Sequence, residues 1–218
     1  MMYIFQPERL LLRKQVMKYA HYITGKVLDV GAGDGERYKG LFSCEQYLTM
    51  DVHAGPGIDV VGRGEKIPLP SMSIDSIVCT QVFEHLNLPF EAVKEFHRIL
   101  KQGGYVLLTA PQMNELHEEP NDFFRYTKYG LIHMFENGGF KTIAHEQRGG
   151  FFTTRAQMLI RYLIDRFHLY QHPIIGKLVG KCILPYGKMM MWFDVLDTSQ
   201  SNRKHTLGWC MVFQKNNS

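Results

Sequence analysis

Val27–Tyr38, VLDVGAGDGERY, is the stretch that decides the fold. Val27, Leu28 and Val30 form a short apolar run of buried-strand type. Gly31, Gly33 and Gly35 follow at alternate positions, with Asp29 before them and Asp34 and Glu36 set among and after them. A buried strand that breaks into glycines marks a ligand loop in an α/β sheet, because glycine turns sharply and lets backbone approach a ligand. A dinucleotide fingerprint, G-x-G-x-x-G, needs its third glycine three residues after the second. Here it comes two after, and Glu36 stands in the required place. Asp34 and Glu36 would also crowd negative charge around a pyrophosphate, whereas Asp29 and Asp34 would favour a ligand carrying sulfonium and ammonium groups. The loop suits a cation better than a phosphate.

The flanking sequence extends this reading. Upstream, Leu12, Val16, Tyr19, Ala20 and Ile23 recur at helical spacing from Pro7 to about Tyr22, with Gly25 as the stop. A short helix is expected after the loop, through about Phe42. Strands are expected at 47–51, 58–61, 75–80 and 105–110. A helix from about Phe90 to Leu100 is marked by the stripe Ala92, Val93, Phe96, Ile99 and Leu100. Thr127 is placed to cap a helix through Asn137, closed by Gly138 and Gly139, and a strand is expected over Thr142–Gln147. Phe151–Asp197 reads as a helical insertion before a last strand, TLGWCMVFQK. The alternation predicts a parallel sheet.

A length of 218 residues fits one domain: a leading helix over 1–25, a core over 26–150, an insertion over 151–197 and a last strand within 198–218. The net charge of +4 lacks the concentrated basic stripe of nucleic-acid binders, so no nucleic-acid partner is expected. Cys44, Cys79, Cys182 and Cys210 show no CxxC spacing. Neither zinc nor a disulfide framework is indicated, and a reducing cytoplasm is the expected compartment. The N-terminus lacks the apolar segment of a signal peptide, and no apolar span of about 20 residues is present to cross a bilayer.

The motif LDVGAGDG resembles the first motif of class I S-adenosylmethionine-dependent methyltransferases: a carboxylate, one residue, then Gly-x-Gly-x-Gly. Asp29, Gly31, Gly33 and Gly35 match it in turn. The resemblance extends over roughly Val27–Phe140 to the type-11 small-molecule group, through Asp51 at a strand end, GEKIPLPSMSIDSIV, QVFEHL and EFHRILKQGGYVLLTAP. It implies a doubly wound, Rossmann-like, mainly parallel seven-stranded sheet. It also implies S-adenosylmethionine as cofactor, held by Asp29, Gly31, Ala32, Gly33, Gly35, Asp51, Val52, Gly64, Glu65 and Gln81, with Asp51 on the ribose hydroxyls. The chain departs from the family at Arg63, where an acid is frequent. Glu65, or the backbone of Gly64 and Glu65, is expected to take its place.

The segment HEEPNDFFRYTKYGL follows the fifth strand, where this fold puts substrate-binding elements. It resembles the D-x-x-R-Y-T segment of methyltransferases that accompany surface-polysaccharide or lipid-linked sugar synthesis. Asp122, Arg125 and Tyr126 are therefore substrate candidates; the plainer reading is that the aromatics anchor the next helix. His117 is the candidate general base. His117, Glu118, Glu119 and Asp122 could suggest a metal, but adjacent loop acids are usually solvated, and no metal is expected. His85 reads equally as functional or as an ordinary hydrogen-bonded histidine, and Asp75, at the start of its strand, as structural. IIGKLVGKC fails as a phosphate loop.

The expected activity is methyl transfer to an oxygen or nitrogen of a small molecule, with a sugar or lipid-linked sugar in view. A methyltransferase-like binding subunit without catalysis is the alternative. A nicotinamide oxidoreductase is opposed by the glycine spacing. A nucleobase amino-methyltransferase is opposed by TQVF, where Asn or Asp, Pro-Pro and an aromatic would be expected. The insertion carries six Lys or Arg against three Asp, among bulky apolar residues. It reads most plainly as a helical flap completing the core. A lid, a peripheral membrane contact or a homodimer interface are the sharper readings.

Overall fold

A computed structural model of the chain describes residues 4–33 and 37–216. In chain order the elements are α1 (Pro7–Tyr19), β1 (Lys26–Val30), β2 (Gln46–Asp51), β3 (Val60–Val61), β4 (Ile74–Thr80), α2 (Pro89–Ile99), β5 (Leu100–Pro111), α3 (Lys128–Asn137), β6 (Phe140–Gln147), α4 (Phe151–Arg166), α5 (Pro173–Leu196), α6 (Gln200–Arg203) and β7 (Gly208–Lys215). The described residues, read from the sequence as one domain, divide into two compact units. One holds the sheet (15–33, 37–112, 116–146 and 208–216) and the other is helical (4–14, 113–115 and 147–207).

In the sheet unit the strand order is β3-β2-β1-β4-β5-β7-β6. β1 lies between β2 and β4 and runs parallel to both, with Leu28 opposite Leu48 on one side and Ile77 on the other. β4 and β5 are parallel, and β7 enters antiparallel beside β5, with Val212 opposite Leu107. The seven-stranded, mainly parallel, doubly wound sheet expected from the sequence is thus the observed fold. The inner strands are unbroken apolar runs because both faces of a parallel sheet are covered. Leu28, Ile77, Val78, Val106, Leu107 and Leu108 are all fully buried. Successive strands step outward in opposite directions from β1 and β4. Ligands in such sheets bind at this switch point, beyond the carboxyl ends of the strands.

The helices begin and end where their residues dictate. Pro89 occupies the first turn of α2, whose stripe Ala92, Val93, Phe96 and Ile99 is buried. The Thr127 side chain accepts a hydrogen bond from Gly130 N at the start of α3. Phe135 stacks on Phe213 with ring centroids 4.0 Å apart, at the centre of a core that includes Phe83, Phe96 and Phe140. Asp75 is structural: its carboxylate accepts from Lys26 N at 2.9 Å and from Lys101 Nζ at 2.7 Å. The short helix expected to reach Phe42 is, among the described residues, a single 3₁₀ turn over Lys39–Leu41. β5 starts five residues before the expected Tyr105, because Leu100 already pairs with Ile74 across a register shift.

In the helical unit, Ile160 and Ile164 of α4 pack with Ile183 of α5, Ile4 and Leu169. Asp194 of α5 caps α4 from across the unit, accepting from Gly150 N (2.7 Å), Phe152 N (3.0 Å) and Thr153 N (3.0 Å). Leu159 and Phe167, close in sequence to the buried Ile160 and Ile164, are exposed.

Candidate active site

β1 delivers Asp29 and the glycine loop to the switch point. Gly31 and Gly33 both adopt left-handed backbone, with φ of +72° and +63°. A Cβ on Gly31 would lie 2.2 Å from Val82 Cγ2, whereas one on Gly33 would meet nothing within 4 Å among the described residues. Gly31 is therefore demanded by packing, while Gly33 borders open space. The loop's described N–H groups are already committed: those of Gly31 and Ala32 donate to Met50 O at 2.8 and 3.0 Å, and that of Gly33 to Asp51 Oδ2 at 3.0 Å. This is not the ring of outward N–H donors that holds a phosphate.

What the loop offers instead is acceptors. Asp29 is 2% exposed, and its Oδ2 accepts from Tyr47 OH at 2.7 Å. Its Oδ1 is buried without a hydrogen-bond partner among the described residues. Burial raises the Asp29 carboxyl to about 7, against the opposing hydrogen bond from Tyr47 and the attraction of Arg37. A cationic ligand group beside Oδ1 would supply the missing partner. Asp51, at the end of β2, holds Gly33 N through Oδ2 and accepts from His53 N at 3.3 Å through Oδ1. Val52, next along, is 49% exposed.

Gly64 and Glu65 form a tight turn closed by Lys66 N donating to Arg63 O at 3.0 Å. Gly64 is buried near Leu86, and the Glu65 carboxylate lies 3.6 Å from Arg63 Nε, so the unexpected arginine meets a local counter-charge. Gln81, just past β4, has left-handed backbone (φ +55°); its N–H donates to Thr109 O and its side-chain amide to Thr109 Oγ1. Asp29, Gly31, Ala32, Gly33, Asp51 and Gln81 therefore all lie at or just beyond the carboxyl ends of β1, β2 and β4. Gly35, with Asp34 and Glu36, lies outside the described residues.

The loops after β4 and β5 meet in a second polar group. Glu84, in the 3₁₀ turn Phe83–His85, is fully buried, and neither carboxylate oxygen has a hydrogen-bond partner among the described residues. His117 Nε2 is 3.8 Å and His85 Nε2 3.9 Å from Glu84 Oε1. Asp122 accepts from His117 N at 3.0 Å and from both terminal nitrogens of Arg125 at 2.6 Å, and these partners hold its carboxyl down at about 2. Of the substrate candidates, Asp122 and Arg125 are thus engaged with each other. Tyr126 is a core residue: its ring packs on Phe83 and its hydroxyl donates to Phe83 O at 3.0 Å. The expectation that Tyr126 faces an acceptor is corrected accordingly. Glu84 was not singled out from sequence. A carboxylate inside QVFEHL, flanked by Phe83 and Leu86, was the available signal.

A sheet of order 3-2-1-4-5-7-6 with a glycine loop at its switch point is the Rossmann-like methyltransferase fold. Residues 28–108 match the family described as a methyltransferase domain. A probable S-adenosylmethionine-dependent methyltransferase of Mycolicibacterium smegmatis is 32% identical over 106 residues, covering 43% of this chain and 41% of that protein. A malonyl-[acyl-carrier protein] O-methyltransferase of Methylococcus capsulatus is 32% identical over 96 residues, covering 36% and 34%. The chain spans about two fifths or less of the length of the curated relatives it matches. Among solved structures, a candidate methyltransferase from Bacillus halodurans shares the fold at a TM-score of 0.58 and 14% identity, covering 94% of this chain and 99% of that one.

Proposed function

We propose that this chain transfers the methyl group of S-adenosylmethionine to an oxygen or nitrogen of a small molecule, a sugar or lipid-linked sugar being the favoured class. The observation that carries the reading is the buried Oδ1 of Asp29, without a hydrogen-bond partner among the described residues, beside a loop whose described N–H groups are already used. Such a site rewards a cation. The Asp51 carboxylate, with lone pairs beyond those used by Gly33 and His53, is the acceptor proposed for the ribose hydroxyls, and Val52 the apolar neighbour for the base. Open space at Gly33 lets the ligand lie against backbone.

When bound, S-adenosylmethionine supplies a methyl group on a sulfonium that is already a good leaving group. The chain has chiefly to align the two partners and exclude water. His117, whose Nδ1 lies 3.4 Å from Asp122 Oδ2, is the residue assigned to take the acceptor's proton. Arg125 and Asp122 contribute by fixing that loop. No helix among the described residues is long and apolar enough to cross a membrane. Peripheral contact is supported instead by the exposed apolar residues of the helical unit: Ile174 is 84% and Val195 73% exposed, with Lys177, Lys181 and Lys188 exposed along the same helix.

Calorimetry with S-adenosylhomocysteine tests the cofactor assignment. Asp51→Ala is expected to weaken binding at least tenfold, since hydrogen bonds to a charged group contribute about 1.5–3 kcal/mol. Unchanged affinity would remove Asp51 from the ribose. Tight binding of S-adenosylmethionine with no S-adenosylhomocysteine formed across a panel of sugar and lipid-linked sugar acceptors would favour the non-catalytic binding subunit.

A further inference from the structure

We propose that Glu84, His85 and His117 form a binding site for one divalent first-row transition-metal ion. Their ligand atoms lie within 4.8 Å of one another, although the residues come from two loops more than 30 positions apart in sequence. Glu84 is fully buried, and neither of its oxygens receives a hydrogen bond from any described residue. A carboxylate left in that state costs several kcal/mol unless a cation or proton answers it.

The two imidazoles are turned to provide that cation's remaining ligands. His85 Nδ1 is 2.7 Å from Asn121 O; a carbonyl only accepts, so Nδ1 carries the proton and the Nε2 lone pair faces Glu84. His117 Nδ1 faces Asp122 Oδ2 at 3.4 Å, and that carboxylate is fixed by Arg125 and by His117 N. Its Nε2 likewise faces Glu84. Metal-binding histidines typically engage a backbone carbonyl or a carboxylate through the second ring nitrogen, and here one does each.

The separations of 3.8 and 3.9 Å from Glu84 Oε1 are too long for hydrogen bonds and slightly wider than the roughly 3.4 Å between ligands about 2.1 Å from a shared tetrahedral ion. The two histidine-to-carboxylate separations need contract by only a few tenths of an ångström, and all three ligand atoms already lie within 4.8 Å of one another. Two imidazoles with one carboxylate select zinc, cobalt, manganese or iron over magnesium or calcium, and leave coordination positions unfilled by the chain. Metal binding does not depend on the methyl-transfer reading. If that reading holds, the unfilled positions favour an oxygen-bearing acceptor, and the base role given to His117 applies only to the metal-free chain.

The test is titration of the chelator-stripped, full-length Cys182→Ser protein with Co²⁺, followed by visible absorption and by Zn²⁺ competition. This background removes the exposed thiol as a ligand. One equivalent should bind, and Glu84→Gln, His85→Gln and His117→Gln should each weaken it at least tenfold, while exposed His172→Gln leaves it unchanged. S-adenosylhomocysteine affinity, measured on the same samples, reports that the fold survives. Should Glu84→Gln fail to fold, the two partly exposed histidines carry the test. Absence of stoichiometric Co²⁺ and Zn²⁺ binding would overturn the proposal, as would stoichiometric binding indifferent to all three substitutions. Metal binding without methyl transfer would leave this site standing and refute the activity; methyl transfer by a chain that binds neither Co²⁺ nor Zn²⁺ stoichiometrically would do the reverse.

Discussion

Gly31 and Gly33 look alike in sequence, and the structure separates what each is for. Both have positive φ, so alanine at either position carries the left-handed penalty of roughly 1–2 kcal/mol. Gly33→Ala incurs nothing further, because its Cβ would meet no described residue within 4 Å. Gly31→Ala would add a contact of 2.2 Å to Val82 Cγ2, and overpacking of this kind costs typically 1–3 kcal/mol. The expected losses in urea denaturation are therefore about 1–2 kcal/mol for Gly33→Ala and about 2–5 kcal/mol for Gly31→Ala. Val82→Ala should recover part of the second loss and none of the first. Calorimetry should show the opposite emphasis: Gly33→Ala, and more so Gly33→Leu, fills the space assigned to the ligand and weakens S-adenosylhomocysteine binding despite a folded protein. Equal stability losses, or full ligand affinity in Gly33→Leu, would refute the division of roles.

Two further outcomes are expected. Asp29 titrates near 7 in the folded chain but as an ordinary carboxyl when unfolded, so the folded state holds the extra proton between about pH 4 and 7. Stability from this group is present at the acid end and is lost as pH rises through 7, by a few kcal/mol as an order of magnitude. The wild-type minus Asp29→Asn difference in unfolding free energy should therefore fall from pH 5 to 8, and a flat difference would contradict the burial argument. In sedimentation with anionic vesicles, the full chain should pellet at low salt and less at physiological salt, each basic residue near the surface contributing about 1 kcal/mol. No pelleting at either salt would remove the membrane reading of α5.

The sheet was legible because buried parallel strands are apolar throughout and glycines punctuate their carboxyl ends; Val27–Val30 and Asp75–Thr80 need no tertiary context to be read. Helix boundaries at Pro89 and Thr127 were legible because capping is local chemistry. Other features depended on long-range packing. Whether Leu159 and Phe167 are buried depends on what lies beside α4, since they are apolar like Ile160 and Ile164, which are buried. Gln81 gives no hint of left-handed backbone, because the cause is the pairing of its N–H with Thr109 on the neighbouring strand. Tyr126, in a segment that follows β5, reads from sequence either as a substrate contact or as an anchor for the next helix, because a neutral aromatic with one hydroxyl fits equally well where a buried carbonyl needs a donor. Phe83 O provides that carbonyl.

The same contacts explain what the segment after β5 does. Backbone N–H groups of Phe123 and Phe124 donate to Glu84 O, the Tyr126 hydroxyl donates to Phe83 O, and His85 donates to Asn121 O. Every one of these bonds ties the loop after β5 to the turn after β4. Arg125 grips Asp122, and Asp122 in turn holds His117 N and faces its ring. In the proposed site Arg125 and Tyr126 therefore stand one step behind the reacting atoms: a guanidinium already held by Asp122 at 2.6 Å, through each of two nitrogens, is poorly placed to greet a substrate carboxylate. Their work is to set the distance between Glu84 and the two histidines. On the proposed reading, the acceptor meets those three side chains, which project from tied loops beside the carboxyl ends of β4 and β5.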